Sequence, residues 1–256
     1  MSENVLAVTV ANTETTMGMF AGNELLATWS VSTNANITAD EALQCIWSFM
    51  GVKDLPTPHD SIMCSVVPAL TAAWSESLAL LSGHRALVVG PGLKSGIAMD
   101  YKDPGQVGGD RVACAVAAKA AFGAPVIVVD FGAATTFTVV GEKGSLAGGA
   151  IAPGLRVSME ALSVSAAQLT ETDLRAPAQA VGRTTLDAVR AGVVLGEAAR
   201  ADGLVEAMWD ELGYETTLVA TGRWARVVCA CTRHQFEVRD DLALRGLLAI
   251  RNANRK

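Results

Sequence analysis

The pattern of this chain predicts an α/β protein built as two similar halves flanking a cleft, and three observations carry that expectation. A three-strand meander followed by alternating helices and strands appears near the start and again from about residue 126. The segments opening each stretch are short β-rich runs separated by turns, whereas others, such as 111–122, are long and alanine-rich. Half of the 256 residues are apolar and 18% are charged, which supplies ample material for a core. No close residue-level repeat accompanies the duplicated pattern, so a single doubly wound sheet is the alternative the same strings allow. The halves are expected at 1–118 and 119–256.

In order along the chain, strands are expected at 5–10, 15–20 and 25–32, with Ala21-Gly22-Asn23 as the hairpin turn between the last two. A helix at 39–50, a strand at 62–67 and a helix at 70–81 follow. A strand at 86–89 ends at Gly90-Pro91-Gly92. After the helix at 111–122 the opening pattern returns, with strands at 126–130, 135–140 and 145–151 and a turn at Gly141-Glu142-Lys143-Gly144. Helices at 155–167 and 185–212, a short strand at 218–220 and a closing helix at 242–254 complete the reading.

Charge and composition exclude several classes of function. The net charge is −6 and the isoelectric point is near 5.1, whereas non-specific nucleic-acid binding needs a basic surface. No apolar run approaches ~18 residues, so no membrane-spanning helix is expected. The N-terminus lacks a basic region, and its short apolar stretch is broken by Asn12 and Thr13, unlike a signal peptide. The five cysteines are odd in number and irregularly spaced, which fits a reducing cytoplasm. Cys229, Cys231 and His234 are the one hint of a metal site. In a strand the two thiols would share a face, but no second ligand pair accompanies them, and buried free thiols are the simpler reading.

Four segments could carry chemistry. The turn at Thr9-Val10-Ala11-Asn12-Thr13 can offer backbone N–H groups to a phosphate, or can be turn chemistry alone. In Val107-Gly108-Gly109-Asp110-Arg111 the glycines allow backbone to approach a ligand. There Asp110 is either the N-cap of the next helix or a base that takes a proton from a hydroxyl. Arg111 can pair with a carboxylate ligand or with Asp103. Asp130, ending a buried strand before Gly132, is either a cation contact or a carboxylate bonded to nearby backbone. In Gly182-Arg183-Thr184-Thr185, Thr184 or Thr185 caps the long helix.

Taken in order, these pieces resemble the type III pantothenate kinases, of the sugar-kinase and actin-like ATPase superfamily. The matches include Thr38-Ala39-Asp40-Glu41, Val66-Val67-Pro68, Gly90-Pro91-Gly92-Leu93-Lys94-Ser95-Gly96, Asp110-Arg111, Asp130-Phe131-Gly132, Gly148-Gly149-Ala150-Ile151-Ala152-Pro153-Gly154, Asp202-Gly203-Leu204-Val205 and Ala220-Thr221-Gly222. The resemblance implies a duplicated ribonuclease-H-like fold and ATP-dependent phosphorylation of pantothenate, the first step toward coenzyme A. It implies Mg2+, a monovalent cation (K+ or NH4+), and a dimer with the pantothenate pocket at the subunit interface. Matched by position, Asp110 is the general base; Tyr101, Gly108, Gly109 and Arg111 line the pantothenate pocket; and Thr185 reaches it from the partner. Asp130 holds the monovalent cation. The nucleotide side matches Thr9, Ala11, Asn12, Thr13, Ala133, Thr135 and Gly222.

That side departs from the family pattern. The first phosphate loop of the family reads Asp-x-Gly-Asn-Thr, and here Thr9 and Ala11 stand at the Asp and Gly. Ala133 replaces a threonine, Thr138 an aspartate, and Arg223 the last glycine of Ala-Thr-Gly-Gly. Losing one preorganised polar group at a transition state costs roughly 2.7–4 kcal/mol, so several losses leave an isolated chain little catalysis. The expectation is a pantothenate-binding subunit of a heteromeric kinase, joined to a paralogue with an intact nucleotide half. The alternatives are a homodimeric kinase with an altered nucleotide site, and a non-catalytic metabolite sensor or regulatory subunit.

Overall fold

The computed structural model describes residues 3–165 and 173–255, which form two compact units. The first unit comprises Met1–Ala117 with Leu242–Lys256, and the second Ala118–Asp241.

The first unit is a five-stranded sheet in the order β3-β2-β1-β4-β5. Its strands are β1 (Asn4–Val10), β2 (Glu14–Ala21), β3 (Glu24–Ser32), β4 (Asp60–Ser65) and β5 (Leu87–Val88). β1 pairs antiparallel with β2 and parallel with β4. Central strands are covered on both faces, which explains why β1 reads as a near-continuous apolar run rather than an alternating one; Val5, Leu6, Ala7 and Val8 are all buried. On one face Leu6, Val8 and Val10 pack with Met17, Met19, Ile46 and Trp74 beneath α1 (Ala39–Val52) and α2 (Pro68–Ser82). Local signals fix those helices. Thr38 and Glu41 form a reciprocal capping box at the start of α1. Pro68 opens α2, and Gly83 closes it in the left-handed conformation.

The other face is covered by α7 (Leu242–Ala253), which packs on β1 and β4, and α7 in turn meets α3 (Gly109–Phe122). A side chain at Gly18, in register with Ala7, would lie 2.8 Å from Leu244. One at Gly246 would lie 1.9 Å from the Ala113 carbonyl, so α7 and α3 touch backbone to backbone. The closing helix therefore completes the first unit, whereas its place in the sequence put it with residues 119–256. Arg251, buried on α7, donates to Asp60 at 2.7 Å and to Glu3 at 2.8 Å.

The second unit repeats the topology. β6 (Val126–Phe131), β7 (Ala134–Val140), β8 (Leu146–Pro153), β9 (Thr217–Thr221) and β10 (Glu237–Val238) are ordered β10-β9-β6-β7-β8. Ile127, Val129, Phe131 and Phe137 pack against α4 (Leu155–Ser165), α5 (Thr185–Leu212) and α6 (Ala225–Cys229). Each such side chain contributes about 1.5–3 kcal/mol by leaving water. Residues 166–167 of the expected fourth helix lie outside the described residues. Cys229 ends the short helix α6 and Cys231 follows it, so the strand geometry that would align their thiols is absent. Burial, with Asp202 nearby, pushes the Cys229 thiol up to about 12. Among the described residues no three His, Cys, Asp or Glu side chains are grouped to hold a metal.

Candidate active site

In the first unit, the segment from Gly90 to Gly109 folds over the ends of β4 and β5 and encloses a cavity of about 570 Å³. Its lining is mostly apolar side chains (Leu93, Ile97, Met99, Val107, Val112, Ile250) with glycine backbone at 90, 92, 105, 108 and 109. That size and character suit a small molecule held by a few polar groups. Asp103 shapes the rim by capping the 3-10 turn Pro104–Gln106, where it accepts from the Gly105 N–H at 3.0 Å and the Gln106 amide at 3.0 Å.

Gly108 and Gly109 line this cavity where a side chain would be crowded. A β-carbon at Gly108 would lie 2.4 Å from Asp110 Oδ1, and one at Gly109 would lie 3.0 Å from Cys64 Cβ. Asp110 is in the first turn of α3 rather than its cap, since the helix begins at Gly109. Oδ1 accepts the Arg111 N–H at 2.8 Å. A helix N-terminus favours negative charge there. The Cys64 thiol is pushed well up, first by burial and then by the charge of Asp110, which places the two side by side. Arg111 donates from Nη2 to the Tyr101 hydroxyl at 3.0 Å, and its guanidinium faces the Tyr101 ring at 5.9 Å. Tyr101, Gly108, Gly109, Asp110 and Arg111 thus form one group beside the cavity, with the two glycines in its wall.

The loop at 9–13 tells a different story. Thr9 is partly buried, in register with Cys64 on one side and Thr16 on the other, and its hydroxyl points to the Thr16 carbonyl at 3.4 Å. Ala11 N–H donates to the Glu14 carbonyl at 3.1 Å, closing a turn that exposes Asn12 and Thr13. Thr33, just past β3, fastens the turn through its hydroxyl to the Ala11 carbonyl at 2.7 Å, and Thr15 bonds Thr33 at 3.0 Å. These hydroxyls and carbonyls are bonded to one another. A Mg2+ site is normally built on one or two carboxylates, and no residue from 9 to 13 carries one. This loop does not fit the metal expected of it.

In the second unit, Asp130 is the penultimate residue of β6, opposite Thr136 and Thr221. Its Oδ1 faces the α-carbons of two glycines: a β-carbon at Gly222 would lie 2.2 Å away, and one at Gly132 3.3 Å away. Gly222 also has φ +91°, a conformation few other residues adopt. The loop after β9 is stitched to this corner by Trp224 N–H to the Phe131 carbonyl at 3.1 Å. A carboxylate is an oxygen donor of the kind hard cations take. Gly154 presses on the β6–β7 turn, since a β-carbon there would meet the Ala133 and Gly132 carbonyls at 2.3 and 2.6 Å. Arg223, next to Gly222, lays its guanidinium over Trp224 at 5.6 Å.

One expected site residue, Thr135, is placed otherwise. Thr135 is turned into the core, 1% exposed, and donates to Glu197 Oε1 at 2.5 Å. Strand alternation sends it to the face of Phe131, away from Asp130. Thr185 is the exposed first residue of α5, and the cap is Thr184, whose hydroxyl accepts the Asp187 N–H at 3.1 Å. The ion pair of Glu197 with Arg200 on α5 went unread in the sequence. Two charges three residues apart on a helix usually mark a solvated face.

Residues 5–207 match the family model described as type III pantothenate kinase. Enzymes of that description from Brevibacillus brevis and Moorella thermoacetica are 39% and 37% identical, each over 98% of this chain and 99% of the relative. One from Streptomyces avermitilis is 40% identical over 88% of both chains. The fold is that of actin-like sugar kinases: a ROK hexokinase from Thermus thermophilus superposes with a TM-score of 0.52 at 13% identity, covering 96% of both chains. The activator of 2-hydroxyisocaproyl-CoA dehydratase from Clostridium difficile, solved with ADPNP, gives 0.51 at 9% identity, covering 96% of this chain and 92% of its own.

Proposed function

The chain belongs to the type III pantothenate kinase family, and from that premise we propose that it is the pantothenate-binding subunit of a heteromeric pantothenate kinase in coenzyme A biosynthesis. The single observation that carries this reading is an asymmetry. The Tyr101–Arg111–Asp110 group stands beside a cavity of about 570 Å³ walled by Gly108 and Gly109, whereas the loop at 9–13 offers no carboxylate and its Thr9 hydroxyl is bonded to the Thr16 carbonyl.

In this reading pantothenate lies in the cavity over Gly108 and Gly109. Arg111, oriented by the Tyr101 hydroxyl, attracts its carboxylate. Asp110 accepts the proton of the attacking hydroxyl through whichever oxygen is not engaged by the Arg111 N–H. Phosphoryl transfer from ATP depends on positioning and on neutralising charge at the phosphates. A divalent ion would supply that neutralisation in the assembled enzyme, and the paralogous subunit contributes the carboxylate that position 9 lacks. Asp130, with backbone carbonyls near Gly132 and Gly222, would hold the monovalent cation, K+ or NH4+.

The test is a phosphorylation assay with pantothenate and Mg-ATP on the chain purified alone and on the chain co-purified with a paralogue bearing Asp-x-Gly-Asn-Thr. Turnover only in the co-purified sample is expected. Turnover of the lone chain at the rate of its homologues would remove the heteromeric reading and leave a homodimeric kinase.

A further inference from the structure

A buried charge on the second unit, Glu197, has no part in the site described so far. Glu197 is 3% exposed and sits on α5 facing β7. One carboxylate oxygen, Oε1, accepts the Thr135 hydroxyl at 2.5 Å. The other, Oε2, is paired with Arg200 Nη2, one turn further along the helix. Arg200 Nη2 also donates to the Pro153 carbonyl at 2.6 Å.

The two anchor points have something in common. Thr135 is the second residue of β7, just past the turn Gly132-Ala133-Ala134. Pro153 is the last residue of β8, and the next residue, Gly154, is the one whose α-carbon abuts the carbonyls of Gly132 and Ala133. Ala134 and Pro153 are themselves cross-strand partners. A single turn of α5 therefore grips both strands at the ends next to the β6–β7 turn, while Gly132 N–H closes the turn on the Ala134 carbonyl at 3.2 Å. A buried charge costs stability unless it is paired. Burial pushes the Glu197 carboxyl up, with Thr135 and Arg200 pulling the other way. An apolar side chain would fill the same space at less cost, so what the acid adds is a fixed geometry.

We propose that Glu197 and Arg200 are positioning residues that hold the Gly132–Ala134 turn in place for the phosphate chain of the nucleotide. The proposal rests on the proposed kinase function and on the family match that puts Ala133 on the nucleotide side, with the donor phosphates reaching this turn in the assembled enzyme. Neither residue touches substrate; both act through the turn.

The test combines two measurements on E197A, E197Q and wild type. Backbone amide hydrogen exchange is followed in segments 131–136 and 151–156, with α7 in the first unit as internal control. KM and kcat are measured in whichever preparation phosphorylates pantothenate, the chain alone or with its co-purified subunit. E197A is expected to speed exchange in both segments and leave α7 unchanged. It should raise KM for ATP about tenfold or more, since small displacements of a reacting group cost up to about 10²-fold. KM for pantothenate should stay the same. E197Q keeps an acceptor for Thr135 and should recover most of the loss. Because the folded carboxyl is raised, its protonated form favours the fold: that stability is present below the ordinary glutamate range and lost as pH rises through the raised value. E197Q should flatten this dependence. Unchanged exchange at 131–136, or equal acceleration in α7, would overturn the proposal. Local acceleration with an unchanged KM for ATP would leave Glu197 a structural clamp and also overturn it. A wild-type preparation that phosphorylates some other substrate, with KM for ATP still shifted in E197A, would refute the functional reading and spare this one.

Discussion

Thr9 and Asp130 occupy the same place in two copies of one topology. Each is the penultimate residue of the central strand of its sheet, and each precedes a tight turn into an antiparallel neighbour. Their surroundings differ. Asp130 faces two glycine α-carbons, and the chain at Gly222 bends through a positive φ to make room. Thr9 lies between Cys64 and Thr16 in a sheet knitted by hydroxyls, with Thr16 bonding Ser30 at 3.0 Å and Thr15 bonding Thr33 at 3.0 Å. A carboxylate at a strand end requires a cradle shaped to it. The second unit has one, and the first has neutral groups bonded to one another at the same place.

The comparison can be broken or sharpened by substitution. The largest effect is expected at Asp110, the proposed base, which both readings of the nucleotide side leave intact. D110N, assayed in the active preparation, should lower kcat by about 10²–10⁴-fold; activity within a factor of a few of wild type would make Asp110 a helix-terminal residue and nothing more. Next is the repair of the neutral loops. T9D/A11G/A133T should raise phosphorylation by the lone chain by at least about 10²-fold, given what single polar groups contribute at a transition state. No gain, with the fold intact by circular dichroism, would mean that more than these three positions separates the chain from its active relatives. G222A then tests the cradle. Its methyl group would crowd Asp130 Oδ1 in a backbone conformation suited to glycine, and urea unfolding should show a loss of roughly 1–3 kcal/mol. An unchanged midpoint would show that Asp130 can move aside. The smallest effect is expected from Y101F, which removes the hydroxyl that orients Arg111. A hydrogen bond of this kind is worth about 1 kcal/mol, so KM for pantothenate should rise several-fold with kcat held.

Much of the architecture was legible because it rests on local signals. The helix at 185–212 matched to the residue, since Thr184 caps it and Gly213 ends it in the left-handed conformation. The strands from 5 to 32 fell within one residue of expectation. What escaped was set by tertiary contacts. β10 is two residues long and α6 five, too short for periodicity to register. Nothing in the amphipathic run of α7 says which sheet it will cover. At the site, Asp110, Gly108 and Gly109 were legible because glycine and a helix start leave a mark in sequence. The inward turn of Thr135 was not, because Thr-Thr in a strand gives one hydroxyl to each face and only the buried partner, Glu197, decides between them. Arg111 and Tyr101 are ten residues apart, and their contact depends on how the intervening loop folds back.

The placement of α7 has a consequence for how the molecule is made. The first unit is interrupted in sequence, so a ribosome completes all of Ala118–Asp241 before α7 emerges. Until then the sheet face at Ala7 and Gly18 lacks the leucine that covers it, and the backbone of α3 at Ala113 lacks the glycine that seats against it. A nascent chain cut short by a dozen residues would carry Tyr101, Gly108, Gly109, Asp110 and Arg111, yet lose Ile250 from the cavity wall and the Gly246 contact with α3 beneath Asp110. Premature termination near the end of the message should therefore yield polypeptide that chaperones retain, rather than a slightly shortened enzyme.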